Sequence, residues 1–202
     1  NSALKLGDIS QARAYDEALV LNGEKLNELR FSLVKDTQVV YQELVQSLVA
    51  ENDRAKIFCE VTAELFPGYD SSIGLQTNLN NAHANDLRRR STTKGPHKAD
   101  IIFESKGSLI KDKFSRGEQK LLSIIWSMSQ NIMLGRVYNL SPILLLDDLS
   151  SELDSEMLEC FLPALKYIEN RFIFSNIVDL FGSKIDHSNQ KLKKFHVEQI
   201  TQ

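Results

Sequence analysis

The sequence predicts an α/β chain with a helical lever at its amino-terminal end and a parallel-sheet core behind it. Three observations carry that expectation. Residues 9–66 contain no proline, and Leu26, Leu29, Leu33, Val40, Leu44 and Leu48 step by three, four or seven, the spacing of one helix face. Residues 142–146 form a continuous apolar run, the mark of a strand covered on both faces. After residue 99, strand-like and helix-like segments alternate in the order that builds an α/β layer.

Taken in order, residues 9–21 read as a first helix and Asn22 as the cap of a second that runs toward residue 66. Phe66, Pro67, Gly68 and Tyr69 end the helical segment, so residues 1–68 form the lever and residues 69–202 the sheet-bearing part. Ile73, Leu75, Thr77 and Leu79 alternate like one face of a strand, and residues 81–90 read as a short helix. Gly95 and Pro96 mark a turn. Residues 99–104 and 108–110 read as strands about a turn at Lys106 and Gly107. Residues 117–139 are apolar nearly all round, as a buried helix is. Residues 142–146 give a strand, 154–167 a helix, 172–174 a buried strand and 195–200 a final edge strand.

Composition narrows the class. At 42% apolar and 25% charged, the 202 residues are those of a globular chain, not a disordered one. No apolar run approaches the ~20 residues of a membrane span, and no cationic segment followed by an apolar one opens the chain as a secretory signal would. Cys59 and Cys160 stand far apart, which fits a reducing cytoplasm and no disulfide framework. His83, His97, His187 and His196 share no ligand spacing with each other or with the cysteines, so zinc is not expected.

The net charge of −3 hides a segregation. Residues 84–98 hold Arg88, Arg89, Arg90, Lys94 and Lys98 against Asp86 alone, with His97 beside them. Residues 142–170 hold seven carboxylates against Lys166. One part is suited to phosphates and another to a cation, although two solvated faces give the same pattern.

The sharpest chemistry stands at the end of the apolar run, where Asp147 and Asp148 are followed by Ser151, Glu152, Leu153 and Asp154. Open α/β sheets bind ligands at the carboxyl ends of their strands. Two adjacent acids leave such an end in different directions, so one can serve Mg²⁺ and the other polarise an attacking water. The plainer alternative has Asp147 ending the strand and Asp154 capping the next helix. Upstream, Ser115, Arg116, Gly117 and Glu118 open the long helix. Free backbone N–H groups at a helix start, a glycine and a serine hydroxyl make an anion site. A Ser cap with Glu in the third helical position is equally the pattern of a capping box.

The two features in this order and spacing resemble the second half of an ABC-type ATPase head. With residues 95–100 (Gly-Pro-His-Lys-Ala-Asp), Arg116 in the helix-opening motif and the paired Asp147 and Asp148, the chain is similar to the RecF family over essentially its whole length. The resemblance implies a partial ABC-type head with a helical lever, in a parent that binds DNA and ATP, dimerises when ATP bridges two heads and acts with RecO and RecR to help load recombinase at gaps. It implies that Ser115, Arg116, Gly117 and Glu118 are the signature that meets the ATP of the partner subunit. Asp147 would serve Mg²⁺, Asp148 would activate water, and Ser151, Glu152, Leu153 and Asp154 would be the dimer-facing D-loop. Asp148 replaces the Glu of most ABC heads, and the usual switch His is absent after Phe174, which leaves Ser175 as the candidate γ-phosphate sensor. Arg88, Arg89, Arg90, Lys94 and Lys98 are candidate contacts to DNA or other phosphates, through salt-sensitive pairing.

A phosphate-gripping loop needs Gly-Lys followed by Ser or Thr, and no Gly-Lys dipeptide occurs in the chain. The sequence therefore reads as the carboxyl-terminal part of such a protein, with no nucleotide expected to stay bound and no hydrolysis expected from this part alone. Two alternatives stay open: another SMC-type head, or a non-enzymatic interaction module.

Overall fold

The computed structural model of the chain describes residues 2–6, 13–140, 142–147, 153–167 and 172–174. Helix α1 (Ser2–Leu6) precedes α2 (Asp16–Glu51), a 36-residue helix. There is no break at Asn22, whose side-chain amide donates to the Ala18 carbonyl (2.8 Å) from inside the helix instead of capping it. The lever is also not helical to residue 66. Asn52 leaves the helix in an extended conformation and its side chain accepts from the Arg54 amide, starting a 3-10 turn over Asp53–Phe58. Strand β1 (Val61–Phe66) follows, with Val61 and Leu65 buried and Thr62, Glu64 and Phe66 exposed, a period of two that a helix cannot satisfy.

Helix α3 (Gly74–Arg89) replaces the strand expected at residues 73–79. Leu75, Asn78, Leu79, Ala82 and Asp86 are its buried positions, spaced three and four apart. The alternating Ile73 and Thr77 are exposed, so the alternation was fortuitous. A short 3-10 turn (Pro96–Lys98) leads into β2 (Asp100–Ser105). The expected turn at Lys106 and Gly107, both with positive φ, joins β2 to β3 (Ser108–Leu109). The one-turn helix α4 (Ile110–Lys113) precedes α5 (Arg116–Tyr138), which is buried on most sides. Ser123 and Ser127 mark its exposed stripe. Strand β4 (Leu144–Leu146), helix α6 (Ser155–Phe161), a 3-10 segment (Leu162–Tyr167) and β5 (Phe172–Phe174) complete the described elements. The strand expected at 195–200 lies outside the described residues.

The strands form an antiparallel sheet in the order β1-β2-β3 and a parallel pair β4-β5. In the first, Val61 faces Ser105 and Phe66 faces Asp100. The free edge of β1 is covered by α2: Gln38 and Gln42 donate to the Val61 carbonyl, and Gln38 accepts from the Ala63 amide. The main core lies between the carboxyl-terminal half of α2 and α5, where Tyr41 packs on Trp126 (5.9 Å between ring centroids) and Trp126 on Phe103 (5.1 Å).

The apolar stripe of α2 divides accordingly. Val40, Leu44 and Leu48 are buried in this core, whereas Leu26, Leu29 and Leu33 are exposed because nothing described packs over that side. The amino-terminal half of α2 instead buries Gly23 and Asn27 against an arm formed by residues 67–99. A Cβ at Gly23 would lie 2.8 Å from Pro96 Cγ and 2.9 Å from Leu75 Cδ2, so the crossing needs glycine. Asn27 donates to the Pro67 carbonyl and Arg30 to the Pro96 carbonyl (2.8 Å). Within the arm, Tyr69, Leu75 and Leu79 make a second, smaller core with Leu19 and Val20. At its base the Gly95 amide donates to the Gly68 carbonyl. Gly68, at φ +88°, has no room for a Cβ, which would lie 2.1 Å from the Gly95 oxygen.

The parallel pairing of β4 with β5 agrees with the sequence, but coverage of both faces of β4 does not. Leu144 and Leu146 are buried while Leu145 is 69% exposed, so among the described residues only one face of the strand meets the core.

Candidate functional site

Phe114 fixes the start of α5. Its ring meets Phe58 edge-on (5.8 Å), and its carbonyl accepts from the Gln119 side chain (2.7 Å). Ser115 then caps the helix in a full capping box: its Oγ accepts from the Glu118 amide (3.3 Å), and its own amide donates to Glu118 Oε2 (2.6 Å). The plainer reading of this motif is therefore realised, and Glu118 is engaged inside the chain. The box leaves something over. The first amides of a helix have no partner within it, and no described contact takes those of Arg116 and Gly117. Ser115 and Arg116 are exposed.

Gly117 carries further information. A Cβ placed there would meet only Met157 Cγ, at 3.9 Å, an ordinary contact. Packing inside the described chain thus gives no reason for glycine at this position.

Met157 belongs to α6, whose cap is Asp154, accepting from the Met157 amide (2.8 Å). The fold therefore brings the expected signature and the end of the expected D-loop to neighbouring helix starts, with Leu153 buried beneath. As the plainer alternative had it, Asp154 caps a helix. Asp147 stands exposed at the carboxyl end of β4, the edge at which such sheets bind ligands. A single carboxylate there could hold Mg²⁺ only together with phosphate oxygens and water. Among the described residues no group of three or more His, Cys, Asp or Glu is arranged to hold a metal. Asp148, Ser151, Glu152 and Ser175 lie outside the described residues.

Arg88, Arg89, Arg90, Lys94 and Lys98 are not part of this site. They lie on the arm, at the end of α3 and in the loop after it, all exposed. Sequence reasoning found these cations but missed what residues 95–100 do. Pro96 docks the arm on α2 at Gly23 and Arg30, and Gly95 closes the base of the arm on Gly68. The available signal was Gly23 itself, a glycine inside a helical pattern.

Comparison with known proteins follows the same lines. The family described as "AAA domain, putative AbiEii toxin, Type IV TA system" matches residues 53–175. The chain is 29% identical over 181 residues to the "DNA replication and repair protein RecF" of Coxiella burnetii (strain Dugway 5J108-111), covering 88% of this chain and 48% of that protein. It is 31% identical over 169 residues to the protein of the same name from Acinetobacter baumannii (strain ATCC 17978), covering 84% and 42%. The chain thus spans about half the length of the curated relatives it matches. Among solved structures, a recombination mediator protein RecF-ATP of the RecFOR pathway superposes with a TM-score of 0.55 at 20% identity, over 82% of this chain and 44% of that one. A second RecF structure, described with ATPrS, gives 0.57 at 21%, over 84% and 46%. No described helix is long and apolar enough to cross a membrane.

Proposed function

Because this chain belongs to the AAA domain family through residues 53–175 and is similar to RecF over most of its length, we propose that it supplies the signature half of a nucleotide-driven DNA-repair ATPase. The observation that carries the proposal is Gly117: a glycine the chain's own packing does not require, beside two amides that the capping box leaves over. Ser115, Arg116 and Gly117 receive the γ-phosphate of an ATP held by another subunit, with Glu118 fixing the backbone that presents them. Asp147 holds Mg²⁺, which neutralises phosphate charge when bound. Asp148 orients and deprotonates the attacking water. Ser151, Glu152, Leu153 and Asp154 line the interface between two heads, and Ser175 senses the γ-phosphate. Residues 1–68 act as the lever and residues 69–202 as the head portion.

In this reading ATP draws two copies of the protein into a dimer, DNA is held by the basic arm, and RecO and RecR are partners in the cytoplasm. What supports this is the relatives' name, DNA replication and repair protein, and the neighbouring structure's assignment to the RecFOR pathway. No observation favours a different SMC-type head or a purely structural module.

The test uses the full-length protein and light scattering with and without Mg-ATP. Ser115→Arg is expected to bind ATP yet lose ATP-driven dimerisation, because a ligand shifts an equilibrium only through contacts made in one state. Gly117→Ala is expected to fold as stably as the parent while its ATP-driven dimer weakens. An ATP-dependent dimer of normal strength in both variants would refute the signature role and leave the capping box as the whole function of the motif.

A further inference from the structure

The arm places five cations and His97 on residues 88–98 with no carboxylate among them, and all six side chains are exposed. No ion pair within 4 Å engages the five cations among the described residues, although Lys94 lies near enough to Asp70 to help lower its pKa, and Arg88 makes a hydrogen bond to Asn85 (2.9 Å). Arg88 and Arg89 have a local reason to be there, since cations favour the carboxyl end of a helix. Arg90 has none in its backbone. It sits at φ +53° and ψ +30°, the left-handed cap that suits glycine, is tolerated by asparagine and disfavours a long side chain such as arginine.

The loop is also built to hold one shape. Asp86, 5% exposed, accepts from both the amide (2.9 Å) and the hydroxyl of Thr93, and its carbonyl accepts from the Ser91 amide. The Thr92 carbonyl accepts from His97 Nε2 (2.9 Å), the Gly95 carbonyl accepts from the Lys98 amide, and the Gly95 amide ties the loop to Gly68. We infer that residues 88–98 are a preorganised clamp for a nucleic-acid backbone, in which Arg90 is a phosphate contact kept in a strained backbone and Asp86 is the positioning residue. The inference rests on the proposal that the arm holds DNA and adds how it does so. A loop already ordered loses little freedom on binding, and exposed cations held on it replace counterions of the phosphates they meet.

Asp86 gives a test with opposite signs. If only charge matters, removing this buried carboxylate from the arm that carries five cations tightens DNA binding. If Asp86 positions the loop, its removal weakens binding although the net charge has become more positive. The measurement is fluorescence anisotropy of a short labelled DNA duplex with the full-length protein over a series of salt concentrations. Asp86→Ala is expected to bind about three- to tenfold more weakly. Thr93→Val, which alters no charge and serves if the first variant does not fold, is expected to move the same way. Arg90→Gly is expected to raise the thermal midpoint while weakening binding, with the slope of log K against log salt reduced by about 0.9 for the lost phosphate contact. Unchanged or tighter binding by Asp86→Ala, or by Thr93→Val, overturns the positioning role, and unchanged binding by Arg90→Gly overturns the strained contact. The underlying DNA reading has a separate control: an Arg89→Ala, Lys94→Ala double variant that binds and responds to salt like the parent removes the arm from DNA altogether, and the clamp with it.

Discussion

Tyr41 is 1% exposed and its hydroxyl donates to the Phe58 carbonyl (3.0 Å). Burial pushes its pKa well above the usual 10.0, and burial likewise raises the Cys160 thiol above 9.0. The native state therefore keeps protons that the unfolded chain releases, so stability falls as pH rises past the unfolded values of these two groups. Urea midpoints are expected to drop steeply above about pH 9, and less steeply in Tyr41→Phe. An equal slope in both proteins would exclude Tyr41 as the source. Nearby, Thr37 is buried with a hydroxyl that no described group partners. Thr37→Val keeps the shape and removes the desolvation penalty, so a gain of about 1 kcal/mol is expected in chemical denaturation. A loss of stability would show that the hydroxyl is satisfied.

Among elements, those legible in the sequence were those whose own residues determine them. Helix α5 is apolar over many turns, β4 and β5 are short apolar runs, and the β2–β3 turn carries Lys106 and Gly107. The misreadings were decided by distant partners. Whether Leu26, Leu29 and Leu33 are buried depends on what packs beside α2, and residues 73–79 fit either period until Leu75 and Leu79 meet Leu19 and Val20. In the candidate site the cap pattern at Ser115 and Glu118 was legible, but the room beside Gly117 was not, because Met157 comes from another helix. Gly23→Ala tests the α2 crossing. Helix propensity alone favours alanine by about 1 kcal/mol, but the new methyl meets the rigid Pro96 ring at 2.8 Å. A net loss of about 1–3 kcal/mol is expected, with faster hydrogen exchange confined to the arm and the first turns of α2. A stabilised variant would show that the arm shifts freely.

At the scale of the molecule, the two cores divide the work. One fastens α5 and its exposed start to α2, and the other fastens the basic arm to the opposite end of the same 36-residue helix. Glu43 on α2 and Arg136 on α5 add a half-exposed ion pair (2.6 Å), worth little beside the buried contacts. Native-state hydrogen exchange is accordingly expected to be slowest in α5 and in the carboxyl-terminal half of α2, which share the larger core, and faster exchange in α5 than in the arm would contradict this order of stability. The pairing of Phe66 with Asp100 has one more consequence. The chain leaves the sheet and re-enters it at adjacent positions, so residues 67–99 form an insertion whose two ends nearly touch. A two-residue Asn-Gly turn of the kind that joins antiparallel strands could close that gap. The arm is in this sense a cassette: its two ends meet at one register position of the sheet, so its length can change without disturbing the pairing of β1 with β2.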